Sequence, residues 1–283
     1  MIPAGFAYSR PTTIDQALKE IGNGSKVIAG GQSLLPLLKL RLASVEKLVD
    51  IGRVPGLRGV RELADGRLAV GALTTYRELL DSPARNLALI SDAVPDIGDV
   101  QVRNRGTVGG AIAHADPASD LPAVLIALEA EIVVRSSRGE KAIPAEKFFV
   151  GAFQTALKPK EIVTEIRLPA PRDDAGSAYR KIEQKASGYS IAGVAVVVVR
   201  GGDGKLADIR VGVTGVSAVA YRATGVEKAL RGTDGSATAI AAAARRVTDG
   251  KEINSDIHAD AEYRTAMAAV LTRRAIEAAL ARI

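Results

Sequence analysis

The sequence predicts an α+β protein of three successive units: a small N-terminal α/β unit, a larger α+β unit, and a C-terminal antiparallel sheet with helices. Three observations predict this. Over residues 13–51, helical periodicity alternates with short apolar runs, the pattern of an α/β unit. The stretch PAPRDDAGS at 169–177 is rich in proline, aspartate and glycine and reads as a boundary. Beyond it, AYRKIEQ, IAGVAVVVV and LADIRVGVTGV read as consecutive antiparallel strands. The expected units span 1–56, 57–172 and 177–283.

In the first unit, TTIDQALKEIG opens with Thr13 and Gln16 at capping-box spacing. Ile14, Ala17, Leu18 and Ile21 follow at helical intervals, and Gly22 is a stop. KVIA (26–29) is a strand, the double glycine follows, and a helix is expected over 33–42. KLVDI (47–51) is a further strand, and Val54-Pro55-Gly56 closes the unit.

In the second unit, LRGVREL and RLAVGAL flank Ala64-Asp65-Gly66 as a hairpin. A mostly helical stretch runs to Ile97, then comes a second glycine loop and a helix from Asp120 to Ala130. EIVVRS (131–136) and KPKEIVTEIRLP (158–169) supply strands. In the third unit, RGGDGK (200–205) turns a hairpin, and alanine-rich helices are expected near 224–231, 235–248 and 259–282.

Composition removes several function classes. There are 283 residues, with no cysteine and two histidines. Disulfides, thiolate catalysis and an iron–sulfur cluster ligated within this chain are therefore excluded. His114 and His258 lack metal-ligand spacing. A net charge of +6 raises nucleic acid as a partner, but Lys and Arg are interleaved with Asp and Glu along the whole length. Only 4% of residues are aromatic, leaving few stacking platforms, so no nucleic acid is expected. The apolar run 191–199 is too short to span a membrane, and the Met1 end lacks a signal-peptide layout, which makes cytoplasm the expected location. With ordinary catalytic side chains scarce, any chemistry is expected to be carried by a cofactor.

Two stretches stand out. VIAGGQSLLPLLKLRL (27–42) runs from a strand through Gly30-Gly31 into a helix with Pro36 in its first turn. Glycine permits positive φ and close ligand approach, and leaves amide N–H groups free to face an anion. Pro36 costs little there, because a first-turn N–H has no intrahelical partner. TVGGAIAHADPASDLPAVL (107–125) repeats the arrangement with Gly109-Gly110 and Pro122. Each pair, taken alone, is equally a tight structural turn. Asp120 is equally a helix cap, and His114 equally a structural histidine. Together the two loops suit an elongated ligand with a pyrophosphate.

AGGQSLLPLLKLRL, TVGGAIAHADPASDLP and AEYRTAMAAVLTRRAIEAAL resemble the FAD-binding medium subunits of molybdenum hydroxylases, the carbon monoxide dehydrogenase and xanthine dehydrogenase flavoprotein family. The likeness extends over the whole chain. It implies that the first two units form a two-part FAD-binding domain, with FAD in the cleft between them and the third unit over part of the ring. It implies cofactor contacts from Ala29, Gly30, Gly31, Gln32, Ser33 and Leu34, and from Thr107, Val108, Gly109, Gly110 and Ala111. His114 and Asp120 match further contacts, Val163 an apolar contact near the adenine, and Lys185 and Tyr189 the segment approaching the isoalloxazine. Many relatives carry asparagine at the position of Ala111, so only backbone contact is expected there. No residue is assigned as catalytic and none as a metal ligand.

The resemblance further implies non-covalent FAD and partners: a large subunit with a molybdenum cofactor, a small iron–sulfur subunit, and an external electron acceptor. Two other classes stay open on the residues alone: a stand-alone flavin oxidase with His114 as base, and a cofactor-free scaffold. Tyr189 is either a stacking residue or the close of a turn after Gly188. Gly110 is expected to refuse a side chain because cofactor phosphates would fill that space.

Overall fold

A computed structural model describes residues 2–283, and its first sheet grows from the short apolar runs of the N-terminal unit. β1 (Ala7–Ser9), β2 (Ser25–Ile28) and β3 (Lys47–Asp50) lie parallel in the order β1-β3-β2. Parallel neighbours need crossovers, supplied by α1 (Ile14–Glu20) and α2 (Leu34–Lys39). The Thr13 hydroxyl accepts from the Gln16 amide at 3.2 Å, as a cap should. The Gln16 side chain reaches one residue further than a capping box does, accepting from the Thr12 amide at 3.0 Å. α2 is shorter than the expected 33–42, because Arg41 enters the left-handed region at φ 57°. Ala17 and Leu18 of α1 pack with Val49, Ile51, Leu57, Leu73 and Ile162, so this core is shared with the next sheet.

The middle sheet is antiparallel, ordered β4-β5-β10-β6-β7. The expected hairpin is β4 (Val60–Glu62) with β5 (Leu68–Gly71). Helices α3 (Tyr76–Leu80), α4 (Ala88–Ala93), α5 (Val100–Arg105), α6 (Val108–His114) and α7 (Asp120–Ala127) follow. Then come β6 (Glu131–Ser136), β7 (Gly139–Pro144), α8 (Ala145–Phe148), the small hairpin β8 (Phe149–Gly151) and β9 (Gln154–Thr155), and β10 (Ile162–Leu168).

Three expectations are corrected here. Gly109 and Gly110 are not a loop but the first turn of α6, capped by Thr107, whose hydroxyl accepts from the Gly110 amide at 3.2 Å. Asp120 is not a cap: Ser119 holds that position without a side-chain bond, and Asp120 is the first helical residue. α7 ends at Ala127 rather than Ala130, because Glu129 turns to φ 52°. Every residue of α7 is buried. A helix apolar nearly all round requires cover on every side, and α7 has it, packing within the core of the middle sheet and against the C-terminal one.

That last sheet joins β11 (Ala175–Glu183), β12 (Ser190–Arg200), β13 (Leu206–Thr214) and β14 (Tyr221–Arg222) in chain order, all antiparallel. Helices α9 (Thr224–Leu230), α10 (Ala237–Ala244) and α11 (Ala261–Leu280) complete the chain. α11 lies against β11 and β12, while α7 lies against β12 and β13. Gly212 permits the latter approach, since a Cβ there would overlap the Ala123 carbonyl.

The two glycines at the start of α6 have unequal surroundings. A Cβ on Gly109 would stand 2.8 Å from both the Cα and the carbonyl oxygen of Ala72, whereas one on Gly110 would crowd only the Thr107 hydroxyl, at 2.7 Å. The crowding at Gly110 in the structure thus comes from the helix cap. Gly109→Ala is expected to lower stability by about 1–3 kcal/mol through overpacking. Gly110→Ala should stay near neutral, because the helix preference of alanine, about 1 kcal/mol, offsets the shift of one hydroxyl. Urea unfolding of both variants checks this; equal losses would contradict it.

Candidate cofactor-binding site

The end of β2 carries a row of unengaged donors. Among the described residues, none of the backbone N–H groups of Gly30, Gly31, Gln32, Ser33 and Leu34 donates within the chain. Gly31 has φ 76°, which turns the chain from strand to helix, and residues 29–34 are half-buried. Consecutive free amides in such a turn form a concavity for an anion. Gly30 also allows a close approach, since a Cβ on it would overlap the Arg105 carbonyl oxygen and lie 3.0 Å from the Gly106 Cα.

The second glycine segment therefore lies beside the first, but it presents different chemistry. Its amides are already engaged: Val108 donates to the Thr74 carbonyl, Gly109 to Ala72 (both 2.9 Å) and Ala111 to Thr107 (3.0 Å). Thr107, Val108 and Gly109 are buried, and Gly110 faces the Ala29 methyl, to which its Cβ would stand at 3.9 Å. Free donors are present in the first segment; the second offers instead the Thr107 hydroxyl and a closely packed backbone.

Asp120 lies at the start of α7, 3% exposed, with its carboxylate turned to the C-terminal sheet. It accepts from the Tyr179 hydroxyl at 2.5 Å and the Ser190 hydroxyl at 2.7 Å, and faces Lys181 Nζ at 3.3 Å. Burial pushes its carboxyl above the usual range, while Lys181 and the two hydroxyls pull it back. Removing one partner of a buried ion pair costs about 3–5 kcal/mol. The chain before α7 is stitched to the same sheet: Thr214 Oγ1 donates to the Pro117 and Ser119 carbonyls at 2.9 and 2.7 Å, and the Ser190 amide to Ala118 at 3.1 Å. Buried Arg264 of α11 holds the far side, its Nη1 donating to the Ile191 and Gly215 carbonyls at 2.6 Å each.

Tyr189 reaches across from the C-terminal sheet to the first glycine segment. Its side chain is exposed and lies beside Ser33. Burial raises its hydroxyl pKa, as does the Asp116 carboxylate, against the lowering effect of Ser33. His114, closing α6, packs its ring against Phe153 at 5.1 Å between centroids. Phe153 and Ala115 both have positive φ, 56° and 50°, and the Phe153 amide donates to the Ala115 carbonyl at 3.0 Å. Tyr189, Phe153 and Asp116 line one hollow.

Three of the anticipated positions stand apart from this cluster. Lys185 is exposed in the 184–189 turn, Val163 is buried in β10 within the core that also holds Val108 and Ile112, and Asp120 points away to the network above. Sequence reasoning missed Tyr179, Lys181, Ser190, Phe153 and Arg264. A signal existed for the first two: they sit two apart on β11, hence on one face, and place polar groups where a strand face becomes buried.

His114 generates a test. Burial holds its pKa below the ordinary 6.5, more strongly than Asp116, 4.0 Å away, raises it. A histidine depressed in the folded state takes its proton first in the unfolded chain, so its stabilising effect is present above pH 6.5 and fades as pH falls below it. His114→Asn should therefore melt progressively closer to, or above, the parent between pH 7 and pH 5. Parallel melting curves would contradict this.

Comparison with known proteins gives the setting. The family described as the FAD binding domain in molybdopterin dehydrogenase matches residues 4–171, and the CO dehydrogenase flavoprotein C-terminal domain matches residues 177–279. The chain is 41% identical to the carbon monoxide dehydrogenase medium chain of Hydrogenophaga pseudoflava, over 100% of this chain and 99% of that one. It is 37% identical to the glyceraldehyde dehydrogenase medium chain of Sulfolobus acidocaldarius, over 98% and 99%. The solved carbon monoxide dehydrogenase of Hydrogenophaga pseudoflava superposes with a TM-score of 0.95 at 42% identity, covering 100% of this chain and 99% of that one. The chain belongs to the FAD-binding family of the molybdopterin dehydrogenases and is an FAD-binding medium subunit of the carbon monoxide dehydrogenase type.

Proposed function

We propose that this chain is the electron-transfer flavoprotein of a molybdenum-dependent hydroxylase or dehydrogenase complex. In this reading it stands between a small iron–sulfur subunit and an external acceptor, with substrate oxidised on a large molybdenum-cofactor subunit. The observation that carries it is the row of five unengaged amides from Gly30 to Leu34, set against the start of α6. That donor set fits a dinucleotide pyrophosphate, whose negative charge free backbone N–H groups stabilise. The absence of cysteine from all 283 residues accords with clusters held elsewhere.

Bound FAD would supply the redox chemistry, and the chain's residues the binding and orientation. Ala29, Gly30, Gly31, Gln32, Ser33 and Leu34 would hold the pyrophosphate through the backbone. Thr107, Val108, Gly109, Gly110 and Ala111 would form the opposing wall, by shape rather than by free amides. His114 and Tyr189 would flank the flavin end, with Lys185 near it and Asp120 behind. Val163 would support the adenine side from within the core. We assign the two-part cofactor domain to 1–56 and 57–172 and the covering domain to 177–283. No described helix is long and apolar enough to cross a membrane; a cytoplasmic complex is our proposal.

The test is purification of the complex from its native host. One FAD per copy of this chain is expected, released entirely by acid or heat, together with co-purifying molybdenum and iron–sulfur subunits. Flavin remaining on His114 by mass spectrometry would contradict the non-covalent assignment, and a flavin-free complex would contradict the whole reading.

A further inference from the structure

The side chain of Lys181 is 5% exposed and lies at a junction of three chain segments. Its Nζ donates to the Asp96 carbonyl at 2.8 Å and to the Gly188 carbonyl at 2.8 Å. The remaining proton faces Asp120 Oδ2 at 3.3 Å and Glu183 Oε2 at 3.4 Å. An ammonium has three donors and no acceptor, so its hydrogen-bonding capacity is fully taken up. The partners come from the turn after α4, from the start of α7 and from the turn that carries Tyr189. No other side chain joins Lys181 in bonding both Asp96 and Gly188 among the described residues.

The 184–189 turn is organised around Gln184. Gln184 Oε1 accepts from the Ala186 and Ser187 amides at 2.6 and 2.8 Å, and the Gln184 amide donates to the Tyr189 carbonyl at 2.9 Å. Gly188 has φ 72°, and a Cβ on it would come 3.4 Å from the Gly98 amide nitrogen and 3.7 Å from the Asp96 carbonyl oxygen. The turn is thus seated on residues 96–98 and pinned there by Lys181. Tyr189 follows Gly188 directly and reaches Ser33 of the free-amide row.

We propose that Lys181 is a positioning residue for the flavin: by fixing the 184–189 turn to Asp96 and Asp120, it sets where Tyr189 stands against the isoalloxazine. This rests on the reading of the site as an FAD site. Lys181 touches neither cofactor nor acceptor and acts through Tyr189. Its role is geometric: without the ammonium, the turn loses the bond at the Gly188 carbonyl and with it the tie to the Asp96 carbonyl.

The experiment compares the intact complex carrying Lys181→Met, Tyr189→Ala, both together, and Gly188→Ala. Gly188→Ala disturbs the seat of the turn while leaving the charge pair untouched, which guards against a folding failure in Lys181→Met. FAD content, flavin fluorescence, amide exchange of residues 184–189, and stopped-flow reoxidation of the reduced flavin by ferricyanide are measured on each. Lys181→Met and Gly188→Ala should keep FAD, speed exchange in the turn, change flavin fluorescence, and alter reoxidation about threefold or more. The double variant should behave as Tyr189→Ala alone, since coupled residues are non-additive. Effects that multiply in the double variant, an unchanged exchange rate in the turn, or normal reoxidation and fluorescence with full FAD would each overturn the proposal and leave the FAD reading standing. Absence of FAD from the parent complex would instead overturn the reading on which it rests, and turn exchange would still report whether Lys181 is an anchor.

Discussion

Gly30 has no side chain, and the geometry of the site follows from that. The backbone leaving β2 lies against the Arg105 carbonyl and the Gly106 Cα, a distance no Cβ would allow. This contact joins the parallel N-terminal sheet to the helical layer of the middle sheet. It also fixes five free amides beside a helix start whose own amides are engaged. The chain thus builds one wall that donates and one that shapes. In the proposed function, the first attracts the anionic part of the cofactor and the second confines it.

The third sheet is held to this frame through α7, a helix buried on every side. Gly212 lets its backbone lie on β13, and Thr214 binds the carbonyls leading into it. The buried carboxylate of Asp120 then fixes the rotation of the helix start relative to β11 and β12, through Tyr179, Ser190 and Lys181. A carboxylate with three polar partners is satisfied, and one left without them would be costly. Tyr189, next to Ser190, lies beside Ser33 through this second joint, which stands well away from the glycines.

Much of this was legible in the sequence. Thr13, the hairpin around Asp65, the first glycine turn and the long strands of the last sheet have local signals that agree with their tertiary setting. The start of α6 was not legible, because two glycines at its head read as loop, while the Thr107 cap and the packing of Gly109 against Ala72 hold it as a helix. β7, with Glu140 and Lys141 at the sheet edge, lacks the apolar alternation that marks half-buried strands. The spacing of Tyr179 and Lys181 marks a shared strand face, but the partners of Lys181, namely Asp96, Asp120 and Gly188, are brought together only by the fold. The relation of the chain to its family was legible from the two glycine motifs and the closing helix, whereas the different duties of the two motifs were not.

In the proposed function the Gly30–Leu34 amides hold the cofactor pyrophosphate while the Val108–Ala111 amides serve the fold. Residue-resolved amide hydrogen exchange, with and without FAD, tests this most directly. Gly30–Leu34 should exchange freely without FAD and become protected with it, while Val108–Ala111 stay protected throughout. Protection gained at Val108–Ala111, with none at Gly30–Leu34, would contradict it.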